Sequence, residues 1–454
     1  MLMFLKSSSG KVLILALINI LILSGSHALN VRILILASLL LFLTLNLVTD
    51  KRYFLPLMLF YLPWSPILKI APGTVTFYTL VVPMVFLALI LKSSLNDTKI
   101  KLSYLVLPIF IIVYMLSVKL VNGYVPDRRF LFFVIMLFFI PYYLNNYKKK
   151  IDFEVCAYFL STGVITACVS SKLLANFPHM LRYIDVYEWE QMGLTRLSGF
   201  YGDANFYSAH ILVAVATLLI TLRKAKKLSA TILHLGGIGL LIYFGMLSVS
   251  KMFILSLAVL FIFWFLIFIF EKRESLSKLR LILLLAVVVG LAAMSNLFTE
   301  QINQYLIRFS MAEDSTSFTT GRSELFMMYI DYLLSSVKHL FLGMGLSPEY
   351  LNGRSSHNTF IQLFYQVGVF GIVLILAWWY LVYSNVKGSG KLNGLNFLYY
   401  FLILIASFFP WMALEMLYFD EFFYITLLVI VAKGYLSKSN VKGMQKLEGT
   451  QHSN

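Results

Sequence analysis

Residues 252–270, MFILSLAVLFIFWFLIFIF, form a run of 19 residues that carries no charge and a single hydroxyl side chain. About 20 apolar residues in an α-helix cross the hydrocarbon core of a bilayer, which is roughly 30 Å thick. The run therefore predicts a transmembrane helix. Similar runs recur along nearly the whole chain, with short charged segments between them. The sequence thus predicts an all-α polytopic membrane protein whose residues 1–454 form a single transmembrane domain.

The composition of the whole chain agrees with this prediction. Of 454 residues, 60% are hydrophobic and 13% are charged, and the mean hydropathy is +0.83. A water-soluble globular protein of this length cannot carry so apolar a composition on its surface. Because Pro56, Pro63 and Pro66 interrupt the third predicted helix, it is expected to be broken or re-entrant. About 12 to 14 transmembrane helices are predicted, near residues 12–29, 30–48, 53–70, 74–92, 102–122, 129–145, 153–173, 204–222, 229–248, 252–270, 280–298, 357–384, 393–412 and 420–436.

The charged segments between the predicted helices divide unevenly between the two sides of the membrane. The side that includes both termini holds 24 of the 37 Lys and Arg residues and 7 of the 21 Asp and Glu residues, a net charge of +17, which leaves −1 on the other side. By the positive-inside rule the basic side is cytoplasmic. The sequence therefore predicts a multi-pass protein of the cell inner (cytoplasmic) membrane with cytoplasmic termini and a polar cytoplasmic tail at residues 437–454. The net charge of +16 needs no nucleic-acid partner to explain it.

Two segments on the predicted outer face are long enough to build a site, residues 174–203 and residues 299–356. The first ends in the run 195–205, TRLSGFYGDAN, in which two glycines follow an arginine. Glycines allow close approach of the backbone to a ligand, and Arg196 suits bidentate contact with a phosphate. A contact of the same arginine with lipid headgroups is the alternative explanation.

Three further polar side chains lie at predicted helix ends on the same face. Lys251 precedes the run quoted first, Arg322 begins a predicted amphipathic helix, and His357 lies where the second long segment re-enters the membrane. A histidine in this setting can accept a proton near neutral pH or donate a hydrogen bond to a phosphate or sugar. Interfacial anchoring and packing against the membrane domain are the alternatives for these three residues.

The four residues come from separate segments, yet the predicted topology places them all on the outer face. The sequence contains no Walker-type phosphate loop, no paired Asp-x-Asp and no His/Cys cluster, so neither a metal nor a cofactor is expected. Neither an internal repeat nor charges at the bilayer midplane, which are typical of secondary transporters, is present. The pattern predicts a site for a membrane-anchored diphosphate that bears a polar, sugar-like head.

The chain resembles the bacterial O-antigen polymerase and O-antigen ligase superfamily. The resemblance lies mainly within residues 190–385 and implies a GT-C-type membrane glycosyltransferase with a helical outer-face loop. Such an enzyme takes a glycan from undecaprenyl diphosphate, without a metal, on the periplasmic or extracellular face. The motifs that carry the resemblance are Arg196-LSGFYGDA-Asn205, Ser248-Val-Ser-Lys251, Gly321-Arg322 with its helix, Gly343-Met-Gly345 and His357-Asn358.

The resemblance also implies roles for individual residues. Arg196 and Lys251 match positions that contact the diphosphate, and His357 matches the catalytic histidine. Lys251 stands where many members have an arginine, which keeps the charge but loses the planar fork of donors. Arg322 matches a recurrent Gly-Arg motif and is a third candidate diphosphate contact. The candidate glycan contacts are Asp203, Asn205, Trp189, Tyr201 and Asn358.

The expected activity is polymerisation of lipid-linked oligosaccharide repeat units of the O-antigen or capsule type. A ligase uses the same donor but transfers the glycan to a lipid A core or a protein, and this alternative stays open. An exporter of polysaccharide or lipid-linked sugar, which forms no bond, is a second alternative. The implied partners are the undecaprenyl-diphosphate-linked glycan, the lipid bilayer, and a flippase and chain-length regulator of the same pathway.

Overall fold

The chain is almost entirely helical in the part that the computed structural model describes, with one antiparallel sheet of two strands, β1 (Val186–Trp189) and β2 (Leu194–Leu197). The described residues are 7–94, 101–126, 128–184, 186–189, 194–225, 227–271, 278, 282, 285, 298–310, 321–346, 350–386, 392, 394–417 and 420–451. The α-helices are α1 (Ser8–Ala28), α2 (Arg32–Val48), α3 (Phe54–Tyr61), α4 (Phe77–Ser94), α5 (Ser103–Val121), α6 (Arg128–Tyr147), α7 (Phe153–Leu174), α8 (Ala204–Leu222), α9 (Leu228–Met246), α10 (Lys251–Phe270), α11 (Thr299–Ser310), α12 (Arg322–Leu334), α13 (Val337–Leu342), α14 (Thr359–Val386), α15 (Gly394–Phe408) and α16 (Asp420–Gln451). Short 3-10 helices span Lys51–Tyr53, Leu62–Ile67, Pro178–Met180, Leu351–Gly353 and Phe409–Ala413.

Nine helices among the described residues are long and apolar enough to cross a membrane. They are α1, α5 to α10, α14, and α15 together with the 3-10 helix that follows it. Two shorter apolar helices, α2 and α4, lie within other predicted spans. The prediction of an all-α polytopic membrane protein is therefore confirmed. The predicted span at residues 280–298 lies largely outside the described residues.

The third predicted helix is broken, as its prolines indicate. The α-helix α3 ends at Tyr61, and a 3-10 helix continues through Pro63 to Ile67. Proline lacks a backbone N–H and restricts the residue before it, so an α-helix does not run through this position. Every residue of α3 is buried, and Trp64 Nε1 donates to the carbonyl oxygen of Gly163 at 3.2 Å. This segment therefore lies within the protein core.

Helix α8 is the centre of the bundle. In an 18-residue apolar stretch of α8, 94% of the residues are buried, compared with 28% in the corresponding stretch of α10. Its neighbours are α7, α9, α10 and α15. The segment that precedes α8, residues 194–203, is therefore attached to the most deeply buried of the nine long apolar helices.

Helix α14 is interrupted at Gly368, whose φ of 59° and ψ of −177° are not helical. The interruption frees backbone carbonyls, and the loop at Gly343–Gly345 supplies their donors. Met344 N donates to Tyr365 O at 3.0 Å, and Gly345 N donates to Gln366 O at 2.8 Å. A side chain on Gly345 would place its Cβ 2.4 Å from the backbone nitrogen of Lys119. The Gly-Met-Gly motif therefore fills the gap that the broken helix leaves.

Helices α8, α10 and α14 begin at the same end of the bundle. Asn205 at the start of α8 accepts a hydrogen bond from Ser250, which precedes α10, at 2.6 Å. His357, which precedes α14, lies close enough to Asp203 before α8 for the two charges to interact. We call this the site end of the bundle.

Candidate functional site

A tight turn joins α9 to α10 at the site end, over residues 247–250. Val249 has a φ of 44° and is fully buried. A positive φ is rare for a β-branched residue and costs of order 1–3 kcal/mol. A conformation of this kind persists only where its surroundings enforce it.

Four successive carbonyl oxygens of this turn accept hydrogen bonds from other segments. The Leu197 backbone N–H donates to Leu247 O at 2.9 Å, and Arg196 Nε donates to Ser248 O at 3.0 Å. Hydrogen bonds to charged groups contribute about 1.5–3 kcal/mol each, enough to offset the backbone strain. The other two donors are the Arg308 guanidinium, on Val249 O, and the Tyr305 hydroxyl, on Ser250 O. The turn therefore fixes two arginines that come from different segments.

Ser250 and Asn205 connect this turn to the central helix. Ser250 Oγ accepts the backbone N–H of Phe253 and so caps α10, and it donates to Asn205 Oδ1 at 2.6 Å. Asn205 is 7% exposed. The structure thus places this candidate glycan contact within the protein, where it holds α8 against the turn.

Asp203 is the carboxylate around which the cations gather. It caps α8, since its Oδ1 accepts the backbone N–H of Asn205 at 2.6 Å and that of Phe206 at 3.3 Å. Its negative charge also acts on Arg308, Arg322 and His357. A capping carboxylate at a helix N-terminus thereby becomes the shared counter-charge of two arginines.

Arg308, on α11, is the most crowded of the cations. Burial first, and then the positive charge of Arg196, lower the pKa of the Arg308 guanidinium to about 10, and Arg322 adds to this effect. Tyr305 and Asp203 oppose it. A guanidinium remains protonated at such a pKa, so the residue is a fixed positive charge among other positive charges.

Lys251 and Arg322 both interact electrostatically with Arg308. Lys251 is the first residue of α10; its ammonium lies 5.5 Å from the ring centre of Phe309 and interacts electrostatically with Arg308. Arg322 is the first residue of α12, as the sequence predicts, and follows Gly321 in a left-handed conformation. Burial lowers the pKa of Arg322, and Asp203 opposes that shift.

His357 completes the group. Its φ of 47° is positive, and its backbone N–H donates to Ser355 Oγ at 3.2 Å. Although the residue is exposed, partial desolvation of its imidazole and the positive charge of Arg322 lower its pKa, while Asp203 opposes the shift. A lowered pKa favours the neutral imidazole, the form that can accept a proton.

The structure therefore brings together Arg196, Lys251, Arg322 and His357 and adds Arg308 to them. Arg308 interacts electrostatically with Arg196, Lys251 and Arg322. The carboxylate of Asp203 opposes the charges of Arg308 and Arg322. The four cations and this carboxylate carry a net charge of +3 when the histidine is neutral. Positive charges held this close repel one another, and a bound anion with more than one negative charge would relieve the repulsion. The arrangement suits an anion such as a diphosphate.

The remaining candidate glycan contacts take structural roles or lie outside the described part. Asn358 Oδ1 caps α14 by accepting the backbone N–H groups of Phe360 and Ile361. Tyr201 donates to Leu62 O at 2.7 Å, and its ring stacks on His210. The side chain of Trp189 lies outside the described residues.

Arg308, on α11, has a weak sequence signal. Arg308 belongs to no motif, but it follows Gln301 and Tyr305 at helical spacing, and this polar stripe faces the protein. On the opposite side, Ile302 is 48% and Leu306 is 61% exposed. Helix α11 is thus amphipathic with its polar side inward, and a search for polar residues at helical spacing would have found Arg308.

His210 forms a buried pair with Glu421, with Nε2 and Oε1 3.1 Å apart and side chains only 2% and 4% exposed. His210 Nε2 also lies 3.1 Å from the Tyr201 hydroxyl. The pair therefore joins α8 to the start of α16, and Tyr201 adds the loop before α8 to this contact. This is a structural role.

The fold and the site define a multi-pass, all-α membrane protein with a cationic site at one end of its helical bundle. Comparison with models of known protein families, with curated proteins and with solved structures gave no match. Among the described residues, no group of three or more His, Cys, Asp or Glu side chains could hold a metal ion.

Proposed function

We propose that this chain is a metal-independent glycosyltransferase that polymerises lipid-linked oligosaccharide repeat units. The donor is a glycan on undecaprenyl diphosphate, and the site lies on the outer face of the cytoplasmic membrane. The resemblance to the O-antigen polymerase and ligase superfamily supports this activity, and the uneven distribution of Lys and Arg supports the orientation. The observation that carries the proposal is the convergence of four cations beside a histidine of lowered pKa.

The cations act on the leaving group. As the bond between the anomeric carbon and the diphosphate oxygen breaks, negative charge develops on that oxygen, and prearranged donors stabilise it most where they need not reorganise. Arg196 and Arg308 are prearranged by their bonds to the turn at residues 247–250. Arg322 and Lys251 contribute positive charge from two other helix ends.

His357 acts on the acceptor. A hydroxyl of the acceptor glycan attacks the anomeric carbon, its proton passes to the neutral imidazole, and the lipid diphosphate leaves with the electron pair of the broken bond. Attack from the side opposite the leaving group inverts the anomeric configuration. The released proton can then return to solvent, because His357 is exposed.

Incubation of membranes containing the protein with a lipid-diphosphate-linked single repeat unit tests the proposal. A ladder of multiples on a gel is expected, and it should disappear with His357→Ala but persist with the control His339→Ala, whose imidazole stacks on Tyr332. Transfer of one preassembled glycan to an added core acceptor, without a ladder, would identify a ligase. Movement of the lipid-linked glycan with no new bond would identify an exporter and overturn the proposal.

A further inference from the structure

A second polar group, outside the cationic site, is joined directly to the His357 segment. Ser355 Oγ donates to Glu415 Oε2 at 2.6 Å, and the same oxygen of Ser355 accepts the backbone N–H of His357 at 3.2 Å. One serine hydroxyl therefore bridges the proposed catalytic segment and a glutamate that follows α15. Glu415 plays no part in the cationic site described above.

The segment that carries Glu415 is fixed at two further points. Thr359 Oγ1 donates to Leu414 O at 2.7 Å and accepts the backbone N–H of Met416 at 2.9 Å. The residues on both sides of Glu415 are thus bound to the first residue of α14. Because three hydrogen bonds join the two segments, the position of the carboxylate relative to His357 is well defined.

The carboxylate of Glu415 has an unused acceptor. The residue is 6% exposed, and its Oε1 is buried and accepts no hydrogen bond from the described residues. Burial raises the pKa of this carboxyl, while the Ser355 hydrogen bond, the charge of Arg129 and the Tyr350 hydroxyl oppose the shift. A buried carboxylate oxygen without a donor is costly, and a ligand hydroxyl would satisfy it.

The charges around Glu415 differ from those around the cationic site. The positive charge of Arg129 acts on the Glu415 carboxyl, whereas the charges of Arg322 and Asp203 act on the His357 imidazole. His357 therefore borders two regions, one with excess positive charge and one with a carboxylate.

Tyr350 lies beside Glu415 on a segment that α12 holds in place. The Tyr329 hydroxyl donates to Arg354 O at 2.6 Å and accepts the backbone N–H of Leu351 at 3.1 Å. This hydroxyl connects the two ends of the short 3-10 helix after Tyr350. The segment from Tyr350 to His357 is consequently anchored at both ends.

We propose that Glu415, with Tyr350 beside it, forms the binding subsite for the acceptor saccharide. This proposal rests on the function proposed above and adds the location and chemistry of the acceptor. Hydroxyl groups of the saccharide donate to Glu415 Oε1, and the reacting hydroxyl reaches His357.

Steady-state kinetics with separate donor and acceptor test this assignment. Loss of hydrogen bonds to a charged acceptor predicts that Glu415→Gln raises KM for the acceptor about 10- to 100-fold. KM for the donor and kcat should change less than about threefold. Glu300→Gln, an exposed carboxylate on α11, is the matched control and should change none of these constants. A lowered kcat with an unchanged acceptor KM would overturn the subsite.

Direct binding separates this proposal from the proposed function. Protein in nanodiscs should bind the free repeat-unit saccharide, without lipid or diphosphate, as measured by saturation-transfer NMR. We expect Glu415→Gln to abolish that signal and Arg196→Ala to preserve it. If the saccharide binds equally well to Glu415→Gln protein of unchanged melting temperature, the subsite is wrong even where a polymer ladder forms. If wild-type protein binds the saccharide but forms no ladder, the enzymatic proposal fails and the subsite stands.

Ser355→Ala provides a second variant should Glu415→Gln fold poorly. It leaves the carboxylate in place and removes the 2.6 Å hydrogen bond that orients it. Acceptor KM is expected to rise less than in Glu415→Gln, about 3- to 10-fold. An unchanged acceptor KM in Ser355→Ala would count against the proposed geometry.

Discussion

Arg308 belongs to this site although no sequence motif contains it. Its guanidinium donates to the Val249 carbonyl while the charges of Arg196, Arg322 and Lys251 surround it. In the proposed reaction, a residue held in this way would stabilise the leaving group without any change of conformation.

Replacement of this arginine tests that contribution. Arg308→Ala is expected to lower kcat about 10²- to 10³-fold, the usual effect of removing one prearranged donor. Arg308→Lys should recover part of the loss, because it restores the charge but not the planar fork. Turnover of a lipid-linked repeat unit is the measurement, and Lys338→Ala, which removes an exposed cation bonded to Asn122, is the control. Equal activity of Arg308→Ala and wild type would remove Arg308 from the site.

In the proposed reaction, His357 and Arg322 should give a characteristic pH dependence. Because partial desolvation and the charge of Arg322 lower the pKa of His357 from its usual 6.5, more than half of the imidazole is neutral at pH 6.5. The acidic limb of the kcat/KM profile should therefore lie below pH 6.5. Arg322→Gln removes a charge that lowers this pKa, so the limb should move upward even as the overall rate falls. Arg182→Gln, which removes a cation that lies over Tyr183, should leave the limb in place. A limb that does not move with Arg322→Gln would separate His357 from the titration.

At the scale of elements, the packing of Gly343–Gly345 against the break in α14 is sensitive to substitution. Gly345→Ala puts a methyl group 2.4 Å from the Lys119 backbone and imposes a φ of 78° on a residue with a side chain. Overpacking costs about 1–3 kcal/mol and the left-handed conformation about 1–2 kcal/mol. Thermal unfolding in detergent should show a large loss of stability. Gly236→Ala in α9, where nothing lies within 4 Å of the new methyl group, is the control and should be neutral or slightly stabilising. Equal melting temperatures for the two variants would contradict this packing.

The elements also show what periodicity and composition can predict. Length and hydropathy were sufficient for α1, α5 and α10, and the Gly-Arg pair was sufficient for the start of α12. The break at Gly368 was not predicted, because a single glycine in an apolar helix usually leaves the helix intact. The break is stabilised by Met344 and Gly345, which are distant from it in the sequence. Their backbone N–H groups donate hydrogen bonds to carbonyl oxygens that the break leaves free.

The amphipathic helix that begins at Arg322 is short. The apolar spacing continues to Val337, but α12 ends at Leu334 and Val337 is 75% exposed at the start of α13. Tyr329 and Leu333 are buried, and Tyr329 packs against Tyr365 of α14. The apolar side of α12 thus packs against α14 over fewer residues than the apolar spacing covers.

For the whole molecule, the distribution of charge predicts which side each end of the bundle faces. Cys156 and Cys168 are both buried, so we expect little thiol labelling of the wild-type chain. A cysteine in place of exposed Ser335 should react with a membrane-impermeant maleimide in intact cells, whereas one in place of exposed Lys149 should react only after permeabilisation. The opposite pattern would place the cationic site in the cytoplasm and exclude a donor that is used on the outer face.

The candidate site is also a property of the whole molecule. Sequence motifs identified Arg196 because it lies in a run with two glycines, and Lys251, Arg322 and His357 because each stands at the end of a predicted helix. Arg308 and Glu415 belong to no such motif, since one follows from the direction in which α11 packs and the other from burial of a charged residue between two helices. The position of Glu415 can be recognised only when separate segments meet.

The turn at residues 247–250 has a consequence for the order in which the protein is made. Arg196 is synthesised 52 residues before Ser248, whose carbonyl oxygen accepts its hydrogen bond. Arg308, the donor to the Val249 carbonyl oxygen, is synthesised 59 residues after Val249. At about 5–20 residues per second, on the order of 5–20 seconds separate the first arginine from the second. A ribosome that stalls before residue 308 therefore leaves a nascent chain with the strained turn made and its Arg308 donor still missing. The cationic site is assembled late, after most of the helices around it have already been translated.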